Sequence, residues 1–364
     1  MSEFLVLGVE SSCDDTAAAV VCARADGTRE ILSNVTLAQY DRHAAYGGVV
    51  PEIAARAHVE RIDGIIAQAI EMSGRTFADL DAVAATAGPG LIGGVMVGLT
   101  AGKAIALAHR KPLIPINHLE GHALSARMTE DVGFPYLLLL VSGGHTQLIE
   151  VSGVGSYRRL GTTIDDAAGE AFDKSAKLLG LGQPGGPAME EAAKSGRADK
   201  YDFPKPLARR EGCDFSLAGL KTALRLAAEA VGDPKPADIA DLAASFQAAI
   251  AGHLADRTEK AIVTLKEGGV TRTLIVAGGV AANQEIRRRL TALADSHAWR
   301  LVVPPPKYCT DNGAMIAWAG IERLRLGLVP AFEDALAFAP RARWPLAEPI
   351  SGREHGGGKK GPKA

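Results

Sequence analysis

Phe4-Leu-Val-Leu-Gly-Val-Glu-Ser-Ser-Cys-Asp-Asp-Thr-Ala-Ala-Ala-Val-Val21 is two apolar runs joined by a polar turn. The pattern predicts a buried strand over 4–9, a turn over 10–16 and a return strand over 17–21. That turn carries the carboxylates Glu10, Asp14 and Asp15 with the hydroxyls Ser11, Ser12 and Thr16. It can hold the waters of a magnesium ion or receive a phosphate on its N–H groups, or it can be a solvated turn. The pattern returns as Tyr136-Leu-Leu-Leu-Leu-Val141, the turn Ser142-Gly-Gly-His-Thr146, and Gln147-Leu-Ile-Glu-Val151. Each hairpin is followed further on by a strand, a glycine loop and a helix: 82–86, 87–94 and 95–108 in the first half, then 273–277, 278–283 and 284–293 in the second. Strand, glycine loop and helix N-terminus together make an anion site, although neither a Walker nor a dinucleotide motif is present. Two similar α/β lobes with a ligand cleft between them are expected, over residues 1–130 and 131–350, the second with helical insertions. Residues 351–364 read as a loose basic tail.

Composition fits such a chain. With 364 residues, 47% hydrophobic and 23% charged, it is long enough for two domains. Its 41 glycines sit in short clusters inside apolar sequence, as where backbone approaches a ligand. Lys+Arg 40 against Asp+Glu 42 leaves a net charge of -2, so no whole-protein field draws the chain to nucleic acid. Any such contact needs local patches, for which Arg287-Arg288-Arg289, Arg158-Arg159 and the segment Lys205 to Arg210 are the candidates. Cys13, Cys22, Cys213 and Cys309 lack CxxC spacing, so no disulfides are expected. With no signal segment and no apolar run of about 18 residues, a cytoplasmic protein without membrane contact is expected.

Chemistry concentrates at Ile116-Asn-His118-Leu-Glu-Gly-His122. Two imidazoles four apart on a helix share one face and can share a metal, but they are only half a site. Asp311 heads a helix after an extended proline segment, with Thr310 or Asp311 as its N-cap. Capping is one account of Asp311, and completing the metal site is the other. His58 and Arg56 read as surface or capping residues, and Phe246, Ile250, Leu254 and Val263 as the core face of a long helix over 236–266.

The two hairpins and strand-Gly-Gly-helix units resemble the actin, Hsp70 and sugar-kinase superfamily. Within it, Gly8-Val-Glu-Ser-Ser-Cys-Asp-Asp-Thr16, Ala87-Gly-Pro-Gly90, His118-x3-His122, Val141-Ser-Gly-Gly-His-Thr146, Asp165-Asp-Ala-Ala-Gly-Glu-Ala-Phe-Asp-Lys174, Ala277-Gly-Gly-Val280 and Cys309-Thr-Asp-Asn-Gly313 look like the bacterial family that makes threonylcarbamoyladenosine in tRNA. The likeness runs from about residue 4 to residue 347. It implies an acyltransferase that moves a threonylcarbamoyl group from its adenylate to N6 of adenosine 37, in tRNAs reading codons that begin with A, and releases AMP. By the same resemblance, His118, His122 and Asp311 bind one divalent ion, iron or zinc. Leu140, Val141, Ser142, Gly143, Gly144, Asp173, Gly186 and Asn283 contact the adenylate. The implied partners are tRNA, a shorter paralogous actin-like subunit and a small P-loop ATPase.

Proton removal from N6 could fall to Glu10 or Asp14. The family usually has Phe-Ser where this chain has Leu217-Ala218, so one serine hydroxyl is missing beside Lys221, itself a phosphate or RNA contact or a plain surface lysine. A zinc protease would need His-Glu-x-x-His, whereas Leu119 follows His118 here. A kinase of the same superfamily has little use for two imidazoles.

Overall fold

The computed structural model describes residues 3–43, 46, 48–266 and 272–347; the tail expected over 351–364 lies outside the described residues. The chain divides into two compact units, one holding the described residues up to Val132 together with Thr310–Leu346, the other Gly133–Cys309.

The first unit is built on β1 (Phe4–Glu10), β2 (Asp15–Ala23) and β3 (Arg29–Ala38), followed by α1 (Tyr40–His43), α2 (Pro51–Ser73), β4 (Ala82–Gly88), α3 (Ile92–His109), β5 (Leu113–Asn117) and α4 (His118–Thr129). Its sheet runs β3-β2-β1-β4-β5, with the first three strands antiparallel and β4 and β5 parallel to β1. The hairpin pairs Phe4 with Ala23 and Glu10 with Ala17, as the alternation predicts. Strands β1, β2 and β4 are apolar along their length because both faces of the sheet are covered. Leu5, Leu7 and Val9 pack into one core with Ile62, Ile66 and Leu99 of α2 and α3.

The second unit repeats the plan with β6 (Tyr136–Val141), β7 (Thr146–Gly153), β8 (Ser156–Thr162), α5 (Ala168–Leu178), α6 (Gly185–Ala193), α7 (Ala218–Val231), α8 (Pro236–Lys266), β9 (Thr273–Ala277), α9 (Gln284–Ser296) and β10 (Arg300–Val302). Its sheet order, β8-β7-β6-β9-β10, is that of the first. The chain then returns to the first unit as α10 (Gly313–Arg325) and α11 (Phe332–Ala337).

The first boundary falls at Val132, close to the 130 expected, but that return corrects the expected extent of the second lobe to residue 350. Residues 310–346 complete the first unit rather than the second. The reason is packing: every residue from Gly313 to Glu322 is buried, so the helix is enclosed on all sides by β1, β2, β4 and α4. Contact with β1 is backbone to backbone. A Cβ on Gly8 would lie 2.2 Å from the Gly313 carbonyl oxygen and 2.3 Å from the Ala317 nitrogen.

Three local readings also change. Val263 is exposed while Phe246, Ile250 and Leu254 are buried, because nine residues beyond Leu254 is about two and a half helical turns, the opposite face. His58 is buried rather than at the surface, while Arg56 is exposed. Helix α3, expected over 95–108, runs Ile92–His109 and forms an apolar 18-residue stretch of mean hydropathy 1.4, against the expectation that no run of that length occurs. Its Val95, Leu99 and Ala106 face the core.

In the second unit His253 of α8 accepts the Ser216 amide on Nε2 at 3.1 Å and meets the Phe215 ring edge-on at 5.9 Å. Burial, and then the Arg257 charge, hold its pKa down from 6.5 to about 4. The folded state therefore binds the proton less readily than the unfolded one, so the stability His253 contributes is present above pH 6.5 and lost as pH falls toward 4. Relative to wild type, His253→Gln is expected to flatten the acid loss of stability across that window, by up to about 3 kcal/mol, in urea melts taken at each pH. Gly8→Ala drives a methyl group into the α10 backbone and is expected to destabilise the protein by on the order of 3 kcal/mol, read as a lower denaturation midpoint.

Candidate metal centre

Strand β5 ends in Asn117, whose Oδ1 accepts the Leu119 amide and so starts α4 at His118. Both imidazoles of α4 then face one side, with ring centroids 4.8 Å apart and planes at 89°. Asp311 approaches from the turn before α10. The cap of that helix is neither Thr310 nor Asp311 but Asn312, whose Oδ1 accepts the Met315 amide at 2.9 Å. Asp311 is thereby left to meet the histidines: its Oδ1 lies 3.0 Å from His122 Nε2 and 3.5 Å from His118 Nε2. The donor atoms of His118, His122 and Asp311 lie within 4.8 Å of one another, all in the first unit.

Behind the histidines stands Glu10, fully buried at the end of β1. Its Oε2 meets His118 Nδ1 at 2.9 Å and accepts the Thr86 hydroxyl at 2.6 Å, and its Oε1 accepts the Ser12 amide at 2.5 Å. The Ser12 hydroxyl adds a contact to the same Nδ1 at 3.1 Å. This arrangement holds the Nδ1 proton of His118 and turns Nε2 toward Asp311, as a carboxylate does for a metal-ligating imidazole. Both oxygens of Glu10, one of the two carboxylates expected as candidate bases, are thus already engaged. Asp14 is half-buried in the same turn.

Electrostatics agree with a cation site. Burial opposes ionisation of Glu10, yet the charge and hydrogen bond of His118 lower its pKa. Burial disfavours the charged His118, yet Asp311 and Glu10 raise it to about 9. Asp15 is pushed up to about 8 by burial, then by Asp311, Asp14 and Glu10. Negative charge is thus concentrated where a divalent ion could offset it, and two imidazoles with one carboxylate suit iron or zinc chemistry. Burial and the neighbouring Asp14 and Asp311 raise the Cys13 thiol well above its usual range, which leaves it no thiolate character.

The turn is braced from below. His58 Nε2 reaches the Cys13 carbonyl at 3.1 Å and its Nδ1 the Thr16 hydroxyl at 2.7 Å. The Ser11 hydroxyl donates to the Gly94 carbonyl at 2.8 Å and accepts the Gly98 amide at 3.1 Å. Glu120 does not stand at the histidines as a protease base would. It is fully buried and receives Arg323 Nε at 2.8 Å.

The residues assigned to the adenylate all lie in the second unit. Leu140 and Val141 end β6 with fully buried side chains, so only their backbone is available. The Ser142 amide closes its own turn onto the His145 carbonyl at 2.8 Å, and the turn rests on α5 through Gly169 and Glu170 amides bonded to the Ser142 and Gly143 carbonyls. Asp173 Oδ1 accepts the Gly185 amide at 2.9 Å at the start of α6. Asn283 caps α9 through Ile286 and donates to Gln247 Oε1 at 2.8 Å, so its side chain is already engaged. At Gly143, Gly144 and Gly186 a Cβ would meet nothing within 4 Å and φ is not positive. Neither packing nor conformation demands glycine there, which leaves bare backbone facing open space.

Sequence reading missed Ser12 as a partner of His118 and missed Thr86 altogether, and it placed Asp15 in the turn without a role of its own. Ser12 and Asp15 sit in the polar turn, where the run of acids and hydroxyls was a signal. Thr86 carries no mark that separates it from any strand threonine.

A family model described as tRNA N6-adenosine threonylcarbamoyltransferase matches residues 30–318. The chain is 58% identical over 352 residues to the protein of that name from Methylocapsa acidiphila, covering 96% of this chain and 99% of the other. It is 56% identical over 372 residues to the one from Agrobacterium fabrum, covering 100% of each. Among solved structures it is similar to T. kodakarensis HypF, with a TM-score of 0.60 and 17% identity over 92% of this chain and 49% of that one, a likeness of fold.

If Glu10 orients His118, Glu10→Gln should weaken zinc or iron binding by about 10–100-fold with the fold intact. Chelator competition followed by metal analysis measures it, with Asp311→Ala expected to lose the ion outright.

Proposed function

Because the chain belongs to the tRNA N6-adenosine threonylcarbamoyltransferase family, we propose that it transfers a threonylcarbamoyl group from its adenylate to N6 of adenosine 37, in tRNAs reading codons that begin with A. The observation that carries this reading is the His118, His122 and Asp311 cluster in a chain matched nearly end to end by that family. In the reaction a bond forms between N6 and the carbamoyl carbon as the bond from that carbon to the phosphate oxygen breaks. AMP leaves with the electron pair, and N6 gives up one proton.

The adenine amine is a weak nucleophile, so the protein must hold both reactants in line and stabilise charge on the acyl and phosphate oxygens. The bare backbone at Gly143, Gly144 and Gly186 and the N-termini of α5 and α6 suit the adenylate's phosphate and ribose. Asp173 keeps the start of α6 against α5 through its bond to Gly185. Asn283 supports the loop after β9 as a cap, and Leu140 and Val141 supply main chain. A divalent ion, iron or zinc, held by His118, His122 and Asp311 would supply Lewis acidity for the oxygens. Glu10, Ser12 and Thr86 hold His118 in the tautomer that ligation requires. Asp14 remains the candidate acceptor for the N6 proton.

The partners proposed are a paralogous actin-like subunit and a small P-loop ATPase, in the cytoplasm. Supporting a subunit contact, α2 and α3 leave Val59, Met72, Ile92, Met96 and Leu107 exposed on the first unit, a set large enough to invite a protein partner.

Cells depleted of the protein are expected to lose threonylcarbamoyladenosine from tRNA, with recovery on complementation by wild type and none by His122→Ala. Nucleoside mass spectrometry reads the outcome. A level unchanged by depletion would overturn the assignment.

A further inference from the structure

A protein of net charge -2 that acts on tRNA needs a local site for phosphate. The three basic patches seen in the sequence are poorly suited to it. Arg288 and Arg289 are both held by Glu285 at 2.7 Å, and the Nε of Arg287 donates to the Ala281 carbonyl at 2.6 Å. Arg158 is held by Glu150 at 2.5 Å. The segment after Lys205 folds over the buried Arg257, which donates to the carbonyls of Leu207, Arg210 and Gly212. Arg209 and Arg210 then line a surface depression of about 520 Å³ shared with Glu211, Asp256 and Glu259, so its charge is mixed.

A different set comes together in the first unit from three distant stretches. Arg29 opens β3, Arg127 lies on α4, and Arg323 and Arg325 close α10. Glu322 holds Arg127 at 2.9 Å and Glu120 holds Arg323 at 2.8 Å. Among the described residues Arg29 has as acid partner Asp131, at 3.3 Å, whose side chain is fully exposed, besides the Glu130 carbonyl at 2.6 Å. Arg325 has no ion-pair or hydrogen-bond partner among the described residues, and its Nε is buried.

Both under-compensated guanidinium groups lie over one ring. Arg325 is 5.2 Å and Arg29 5.8 Å from the centroid of Trp318, a fully buried residue whose indole Nε1 also lacks a partner. Burial lowers the pKa of Arg325; Glu322 raises it, and the like charges of Arg29 and Arg127 lower it further. The dipole of α10 explains why cations suit its last turn. It does not explain why a second arginine, Arg29, is drawn over the same ring with only an exposed aspartate to offset it; both guanidinium groups remain partly exposed, where an anion from outside the chain can reach them.

We propose that Arg29 and Arg325, stacked on Trp318, form a binding site for a backbone phosphate of the tRNA. Fixed, planar guanidinium groups match a phosphodiester's oxygens, and the aromatic ring holds them in place while they are free of it. The site positions the RNA and reads no sequence. It rests on the tRNA-modifying activity proposed above.

The test is equilibrium binding of tRNA to the full-length protein by fluorescence anisotropy between 50 and 200 mM KCl, beside the nucleoside assay. For Arg29→Gln/Arg325→Gln the plot of log affinity against log salt should become shallower by about one, with affinity at low salt down by about tenfold. Arg288→Gln, already neutralised by Glu285, should leave both unchanged. Asp131→Asn removes the exposed carboxylate beside Arg29 and should tighten binding, an outcome that a loss of folding cannot imitate. A double variant with wild-type slope and affinity, or no gain from Asp131→Asn, would each overturn the site. Depleted cells that keep their modified tRNA would instead overturn the activity on which it rests.

Discussion

The contact between α10 and β1 sets the position of everything in the metal centre. A helix normally rides about 10 Å from a sheet on a layer of side chains, but here Gly8 lets the Gly313 and Ala317 backbone come within the space a methyl group would occupy. Gly320 lies against Ala84 and Val6 in the same way, and Gly121 of α4 against Ile316 and Met315. Strand, helix and helix are thereby locked at short range. Asp311 is one turn ahead of α10, and His118 and His122 are on α4, so the distances among the three donor groups follow from glycine-lined packing rather than from the side chains themselves. A polar site of three ligands is held by an apolar joint.

A second layer converts that placement into chemistry. Glu10 is the last residue of β1 and is fully desolvated, a position that would raise the pKa of an isolated carboxyl. The charge of His118, its hydrogen bond and one from Ser12 reverse that tendency. The same bonds commit Glu10 to orienting an imidazole. The turn that follows is braced by His58 and by the N-terminal half of α3 through Ser11, so the floor of the site is made by the two helices that also leave Val59, Met72, Ile92, Met96 and Leu107 exposed.

Much of this was legible in the sequence where the signal was local. Alternation within each hairpin gave the strands and the turn, and the second hairpin gave the repeated plan, because period and polarity are set by neighbours. The His pair declared its shared face through helical spacing. What failed needed long-range information. Where α10 packs is not written in residues 310–346, which carry an ordinary helical pattern. Asn312 competed with Thr310 and Asp311 for the cap, and three adjacent capping residues cannot be ranked by type alone. The sequence offers Glu10 only as a turn carboxylate and candidate base, since its partners Thr86 and His118 lie 76 and 108 residues away. Arg29, Arg127 and Arg325 went unnoticed as a group for the same reason, while Arg287-Arg288-Arg289 drew attention by adjacency although Glu285 neutralises two of the three.

The return of α10 to the first unit also bears on how the chain is made. A ribosome delivers β1 and α4 early, but Asp311 follows His122 by 189 residues. At about 5–20 residues per second, the first unit waits on the order of 10–40 s with the α10 face of its sheet uncovered, while the whole second unit emerges and folds. The metal centre is then the last part of the molecule to be assembled, and a nascent chain that stops short of α10 has both histidines but no third ligand. Ion capture by the three side chains would therefore require a chain translated past residue 311.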